Sequence, residues 1–393
     1  MIEEKEALAK ILGHVRALPA REVPLAEALD AFCARDLFAG LSLPLFDNSS
    51  MDGYALVAGS AEVGAHLQLV GEQPAGLDRK LALRPGEAIR ILTGAPMPAG
   101  ADAVIMQEET SVEGDAVVLN AKVEGGENVR CRGADVTEGQ KIVAAGDRLR
   151  PPILALLAAQ GCSSVQVGGW ARAAVISTGD ELASPGTTLQ PGQIYDSNSV
   201  LLQAMLRTCG ADVVSVTHCA DHAEEIEAAL RAGIACDLMI ITGGVSVGVR
   251  DLVKPALTAV GATLDLWRVA VKPGKPFLFG RAGNCAIFGL PGNPVSAFVT
   301  FLLFVRPALL RLMGANDGAL ALTRVQAQLT EEIDNPSERP HYIRGILKDG
   351  SFSPVGRQES HALYGLSRSN ALLLAEPGTK IPAGASVTAL TWD

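Results

Sequence analysis

The chain has 393 residues, too many for one small core, and the usual domain size gives two to four domains. Hydrophobic residues make up 48% and charged residues 19%, a globular and not a disordered composition. Only 4% of residues are aromatic and the formal net charge is −10, so neither the stacking platforms nor the basic face of a nucleic-acid binder is expected.

The N-terminus, MIEEKEALAK, is charged and lacks an apolar h-region, so no secretory signal is expected. Leu8, Ile11, Leu12 and Val15 recur on one face and predict a helix, and Leu25–Phe38 reads as a second short one. From about 41 to 135, short alternating runs such as AHLQLVGE, AIRILTG, ADAVIMQEE and DAVVLN are broken by Gly and Pro, which predicts a β-rich domain. Pro151 and Pro152 open a helix that Gly161 closes, expected to join the N-terminal helices, so that the β-rich domain is an insertion.

After Trp170 apolar strands alternate with helices: AAVIST, SVLLQAMLRTCG, ADVVSVTH, HAEEIEAALRAG, CDLMIITGG, DLVKPALTAVG, then PFLFG and CAIFGL. That order predicts βαβ units and a doubly wound, mainly parallel α/β domain. PVSAFVTFLLFV reads as a buried helix about half the length needed to cross a bilayer, and no membrane partner is expected. Beyond about 320 alternation returns, with a hairpin turn at Lys348-Asp349-Gly350, so the C-terminus is expected to be a small antiparallel, barrel-like β domain. The expected division is 1–44 with 139–168 (helical and extended, linking), 45–138 (β-rich), 169–316 (α/β) and 317–393 (C-terminal β). The seven cysteines form no C-x-x-C pair, which suits a reducing cytoplasm.

Three Gly-rich polar loops follow apolar strands: STGDEL (177–182), TGGVSVG (242–248) and LPGNPVSA (290–297). Loops at the carboxyl ends of parallel strands share the ligand edge of such a sheet, where glycines let backbone N–H groups approach an anion. A tight strand-to-helix turn explains any one of them; three along one edge favour an anion site. In KPGKPFLFG (272–280), Lys272 and Lys275 project from a stiff Pro-Gly loop and are candidates for binding an oxyanion. Arg339 and Arg344 fall on opposite faces of an alternating strand, and Arg344, deeper in it, is expected to face the cleft.

Asp52, Asp135, the Asp180–Glu181 pair and Asp251 lie in glycine-flanked loops, Asp52 beside Gly53 read as a bend. Acids next to an anionic ligand suggest a hard cation such as Mg²⁺ bridging carboxylates and phosphate oxygens. Six histidines without an H-x-x-x-H pattern argue against a histidine-bound transition metal, and no G-x-S-x-G elbow is present. The residues alone reach a phosphate-bearing ligand, a hard metal and oxyanion-binding lysines.

DNSSMDGYA, LTGAPMPAGADAVIMQE, STGDEL with GQIYDSNS, GGVSVGVRD, KPGKPF and GLPGNPVSA occur in that order over nearly the whole chain. Together they resemble the molybdopterin molybdenumtransferase (MoeA) family, which includes the gephyrin E domain. The resemblance implies an enzyme of molybdenum cofactor biosynthesis that takes adenylylated molybdopterin and molybdate, hydrolyses the phosphoanhydride with Mg²⁺ and releases AMP. It implies a homodimer in which the β-rich domain of one subunit faces the α/β domain of the other. The upstream adenylyltransferase is a candidate further partner.

By motif, the resemblance makes Asp52, Asp135, Glu181 and Asp251 catalytic, with Asp52, Glu181 and Asp251 near the metal. It assigns Asn48, Thr93, Gly243, Gly244, Ser246, Gly248, Pro291, Gly292, Asn293 and Ser296 to the substrate, with Asp47 and Asn48 shaping the Asp52 loop. It gives molybdate to Lys272, Lys275, Arg344 and Ser367. The chain departs from the family where an acid usual before Asp135 is Ala134, and where Glu338 precedes Arg339 in place of glycine. Two alternatives share parts of this pattern. The molybdopterin adenylyltransferase has the α/β domain but lacks the β-rich half and the C-terminal β domain, and a non-catalytic pterin carrier or scaffold would need neither Asp52 nor the lysines.

Overall fold

The computed structural model describes residues 1–244 and 252–392. They form two compact units, one of residues 1–35, 145–158 and 162–393, the other of residues 36–144 with 159–161.

The first unit is built on a six-stranded sheet. Its strands are β1 (Arg172–Thr178), β2 (Asp212–Cys219), β3 (Leu238–Thr242), β4 (Thr263–Arg268), β5 (Pro276–Ala282) and β6 (Cys285–Leu290), in the order β2-β1-β3-β6-β5-β4. The first four neighbours run parallel, and β5 and β4 add an antiparallel edge. Continuous apolar runs in β1, β3 and β6 are what a sheet buried on both faces requires: every residue of β3 and β6 is buried. Helices Ser197–Thr208, Ala223–Gly233 and Val253–Ala259 supply the crossovers.

The N-terminal helix α1 (Glu4–His14) buries Ala7 and Ile11 in the same core as Phe304 and Leu309 of the long helix Pro294–Leu312. That helix has 19 residues, not half a bilayer span, and by length and composition alone it could cross a membrane; 89% of its most apolar 18-residue stretch is buried inside the fold. It holds a π-turn at Phe301–Val305 just before Pro307. Pro307 has no N–H to offer a helical acceptor and its ring crowds the preceding turn, which a wider turn relieves.

The expected helix over Leu25–Phe38 is absent. Arg21–Pro24 pairs as a strand with Ser164–Val167, Leu25–Glu27 makes a single 3₁₀ turn, and Cys33 bridges to Val167. The apolar positions there are served by pairing with chain more than a hundred residues away, which local periodicity does not register. Strand β4, also unanticipated, closes the antiparallel edge of the sheet.

The C-terminal segment closes a five-stranded barrel of Thr323–Leu329, Ser351–Pro354, His341–Lys348, Ala371–Ala375 and Ser386–Thr391. Its hairpin turns at Asp349 (φ 48°) and Gly350 (φ 73°), both left-handed, as a two-residue primed turn demands.

The second unit carries a six-stranded sheet in the order 103–106, 53–56, 87–91, 66–73, 116–119 and 110–113. Gly53 does not make a bend there. It sits in strand Gly53–Leu56 opposite Met106, where a Cβ would strike the carbonyl of Ile105, so glycine permits close strand approach.

Candidate active site

In the α/β sheet Ser177 is in register with Thr242, and Thr242 with Leu290, so β1, β3 and β6 end at one level. The loops that follow open on a cleft of about 1110 Å³ in the first unit. Glu181, Gly243 and Gly244 line it from two of these loops, and Pro291, Gly292, Asn293 and Ser296 from the third. Lys272 and Lys275 line it too, as do Arg339 and the segment Gln358–His361. Of the expected residues, Ser246, Gly248 and Asp251 lie outside the described residues.

Two glycines explain how the backbone packs this tightly. Gly243 has φ 87°, and a Cβ on it would meet the carbonyl of Thr178. Gly274, between the two lysines, has φ 132°, and its Cβ would stand 2.6 Å from Thr300 Cγ2. Only glycine lets the lysine loop rest on the long helix. The loop is also tied to the barrel by its main chain. The Lys272 N–H donates to Pro340 O (2.9 Å), its carbonyl accepts from the Tyr342 N–H (2.8 Å), and Arg339 Nη1 donates to Val271 O (2.8 Å). Lys272 thus lines the cleft from a clamped backbone.

The two arginines reverse the expected assignment. Arg339, in the turn before strand His341–Lys348, lines the cleft, whereas Arg344 is fully buried. Arg344 spends its guanidinium on main-chain carbonyls: Nη1 to Ala362 O (2.7 Å), Nη2 to Arg357 O (2.5 Å) and to Glu359 O (3.2 Å). Burial lowers its pKa, with Glu359 opposing. Strand alternation does separate the two arginines, but the inward face at Arg344 looks into the barrel wall and not into the cleft. Arg344 therefore shapes the cleft from behind, by holding the 357–362 segment. Ser367 is likewise not in the lining: it is exposed, and its Oγ donates to Tyr364 O within its own turn (2.8 Å).

His341, beside these cations, is 6% exposed and its Nε2 has no partner among the described residues. Burial first, then the charges of Lys272, Arg344 and Arg339, pull its pKa down to about 4. Unfolded, the ring titrates near 6.5, so between these values the unfolded chain binds a proton that the fold refuses. The stability involved is complete above pH ~6.5 and is lost as the pH falls toward ~4, about 3 kcal/mol in all. In urea unfolding, His341→Gln should therefore flatten the acid limb, its stability relative to the parent improving by that amount from pH 7 to pH 4. Parallel curves would show that His341 does not titrate on unfolding.

Among the described residues, no three His, Cys, Asp or Glu side chains come together as a metal cluster. Glu181 presents one exposed carboxylate to the cleft, while Asp180 Oδ1 is taken by the Asp221 N–H (2.9 Å). Two further oxygens in the cleft wall, Thr178 Oγ1 and Asn198 Oδ1, are without partners among the described residues. One carboxylate fits a Mg²⁺ that takes most of its ligands from substrate phosphates and water, and does not fit an all-protein cage.

In the second unit the structure brings Asp52 and Thr93 together. Asp52 Oδ1 accepts from the Thr93 N–H (2.7 Å) and from its hydroxyl (2.8 Å), and these bonds, backbone first, hold the exposed carboxyl below its usual pKa. Asp47 Oδ1 accepts from the Arg132 N–H (2.7 Å), and Asn48, 7% exposed, donates from Nδ2 to Phe46 O (3.1 Å). Asp47 and Asn48 thus fix the loop from which Asp52 projects. Asp135 is exposed, with its N–H on Leu43 O (3.0 Å).

Comparison with known proteins decides the family. Residues 2–161 match the MoeA N-terminal region (domain I and II), residues 174–311 a "Probable molybdopterin binding domain", and residues 326–392 the MoeA C-terminal region (domain IV). The chain belongs to the MoeA family. A molybdopterin molybdenumtransferase 2 of Mycobacterium tuberculosis is 37% identical over 100% of this chain and 98% of its own. The molybdopterin molybdenumtransferase of Haemophilus influenzae is 36% identical over 93% and 92%. The crystal structure of the molybdopterin biosynthesis moeA protein from Pyrococcus horikoshii OT3 superposes with a TM-score of 0.87 at 29% identity, both chains fully covered. The match of N- and C-terminal regions removes the adenylyltransferase alternative, whose chain has only the α/β part.

Within this MoeA chain the residues that motif reading passed over are Thr178, Asn198 and the 358–361 segment, and Arg339 is one it set behind Arg344. Asn198 stands inside the motif GQIYDSNS, two residues after the helix-capping Asp196, and nothing in its spacing separates a cap from a cleft residue. The 358–361 segment carries no glycine-rich motif; it reaches the cleft because Arg344 and Gln358 hold it there.

Proposed function

We infer that the protein is a molybdopterin molybdenumtransferase of molybdenum cofactor biosynthesis, acting on molybdopterin and molybdate. The observation that carries this reading is one cleft in which Lys272, Lys275 and Arg339 face strand-end glycine loops and the carboxylate of Glu181. The three cations suit an oxyanion substrate through charge-assisted hydrogen bonds. The loop N–H groups at Gly292 and Asn293, with the N-terminus of the long helix behind them, suit phosphate. Asn293 gives its Nδ2 to Ser360 Oγ (2.9 Å) and does not cap that helix; Pro294 has no N–H and the Val295 N–H donates to Ser360 O (3.1 Å), so the helix acts on a phosphate through its dipole.

In this reading the pterin enters adenylylated, and the phosphoanhydride is hydrolysed with release of AMP as molybdate is bound. Mg²⁺, when bound, offsets the charge of the phosphates; Glu181 would hold it here, with Asp52 and Asp251 carried over from the family resemblance. The family resemblance also gives Asp52, kept ionised by Thr93, and Asp135 roles in the chemistry at the phosphates. A homodimer in the cytoplasm completes the reading, supported by the family resemblance and by cysteines that are all free thiols.

The test follows AMP release from adenylylated molybdopterin and Mg²⁺, with and without molybdate. Release that needs molybdate and falls at least about 100-fold in Asp52→Ala is expected for loss of a group acting at the reacting centre. Release indifferent to molybdate would leave a phosphoanhydride hydrolase and defeat the transferase reading.

A further inference from the structure

The cleft has a second chemical character besides its cations. Asn198 begins the first turn of helix Ser197–Thr208, is 8% exposed and lines the cleft. Its amide orientation is dictated by its neighbours. Nδ2 stands 2.7 Å from Gly292 O, which can only accept, and 2.9 Å from Thr242 Oγ1, whose own proton goes to Pro291 O (3.3 Å). Both Nδ2 protons are therefore used, and Oδ1 is turned away from the loop with no partner among the described residues. Thr178 Oγ1, 3% exposed, is a second unpartnered atom of the same wall. A buried oxygen left without a donor costs about 1–3 kcal/mol, so such an atom is retained where something supplies the donor.

The chemistry of the substrates limits what that donor can be. Molybdate and the ionised phosphates of a phosphoanhydride offer only acceptors at neutral pH, and each would be repelled by a carbonyl oxygen. Of the substrates' own groups, only an N–H or O–H on the organic part can supply it. We propose that Asn198 Oδ1 reads a heterocycle N–H, or a ribose hydroxyl, of the adenylylated pterin, setting the organic part against the β1–β3 wall while the oxyanion goes to Lys272, Lys275 and Arg339. Asn198 is then a specificity-determining binding residue, and Thr178 Oγ1 is placed to bond the same moiety. This rests on the transferase reading given above and adds to it the division of the cleft into an acceptor wall and a cationic wall. The donor has two sources, the aminopyrimidinone edge of the pterin and the adenylate, and the test separates them.

Binding of molybdopterin, of AMP and of molybdate, each alone and under anaerobic conditions, is measured by titration calorimetry on the full chain. The parent is compared with Asn198→Ser and, because loss of Nδ2 also frees Gly292 O, with Thr242→Val, which disturbs the same network but keeps Oδ1. The expected result is a loss of about tenfold in molybdopterin affinity in Asn198→Ser, the size of one good hydrogen bond. Molybdate affinity should stay within about twofold, and Thr242→Val should lose less than Asn198→Ser. The same selective loss for AMP in place of molybdopterin also supports an acceptor wall and assigns the donor to the adenylate. Equal losses for all three ligands, or equal losses in both variants, mean that Asn198 only holds the Gly292 loop, and overturn the proposal. Unchanged binding in a folded Asn198→Ser means that water satisfies Oδ1, and overturns it too. Failure of the parent to bind either organic ligand defeats the transferase reading itself, and the proposal falls with it.

Discussion

Arg344→Met is expected to lower the unfolding free energy by about 3–5 kcal/mol. The side chain is fully buried, and its loss leaves the carbonyls of Arg357, Glu359 and Ala362 without donors. Those carbonyls belong to the segment that carries Gln358, Glu359, Ser360 and His361 to the cleft. The variant should therefore lose activity through a loosened wall, with kcat and the KM for molybdate both affected. Urea unfolding and steady-state kinetics on one preparation check this. A variant as stable as the parent, with only the molybdate KM raised, would return Arg344 to the oxyanion site that motif reading gave it.

Lys272→Ala and Lys275→Ala should do the reverse. Each removes a charge-assisted donor whose loss costs about 1.5–3 kcal/mol, hence about 10- to 100-fold in molybdate-dependent AMP release, appearing first as a raised molybdate KM. Stability should change little. The structural bonds of Lys272 are main-chain bonds that alanine keeps, and Gly274, which seats the loop on Thr300, is untouched. Lys→Arg at either position should rescue poorly, since a planar fork does not replace a compact ammonium on a clamped loop. A molybdate dependence identical to that of the parent in the double variant would show that the oxyanion binds elsewhere.

Much of the α/β unit was legible because its physics is local. Buried parallel strands must be apolar throughout, their crossovers must be helices, and the loops after β1, β3 and β6 must then share an edge. That logic placed Glu181, Gly243 and Gly292 in one neighbourhood, while the lysine loop was singled out separately, by its stiff Pro-Gly pair. It failed over Leu25–Phe38, where the partners lie beyond residue 140, and at Arg339 and Arg344. Alternation there shows that two side chains part company but not which side is the barrel wall. Asn198 was invisible for a related reason: an orphaned acceptor is defined by what its neighbours do with their protons.

By itself, then, the amino-acid sequence determined the class of the chain, its family, the sheet edge that carries the cleft and the chemical types facing it. These follow from periodicity and from motif order, both properties of neighbouring residues. Only the tertiary structure decided which of two arginines lines the cleft, why Gly53 and Gly274 must be glycine, and that one amide oxygen in the wall still wants a donor. Those depend on contacts between segments far apart in the chain, where hydrogen-bond partners and steric room are set by packing.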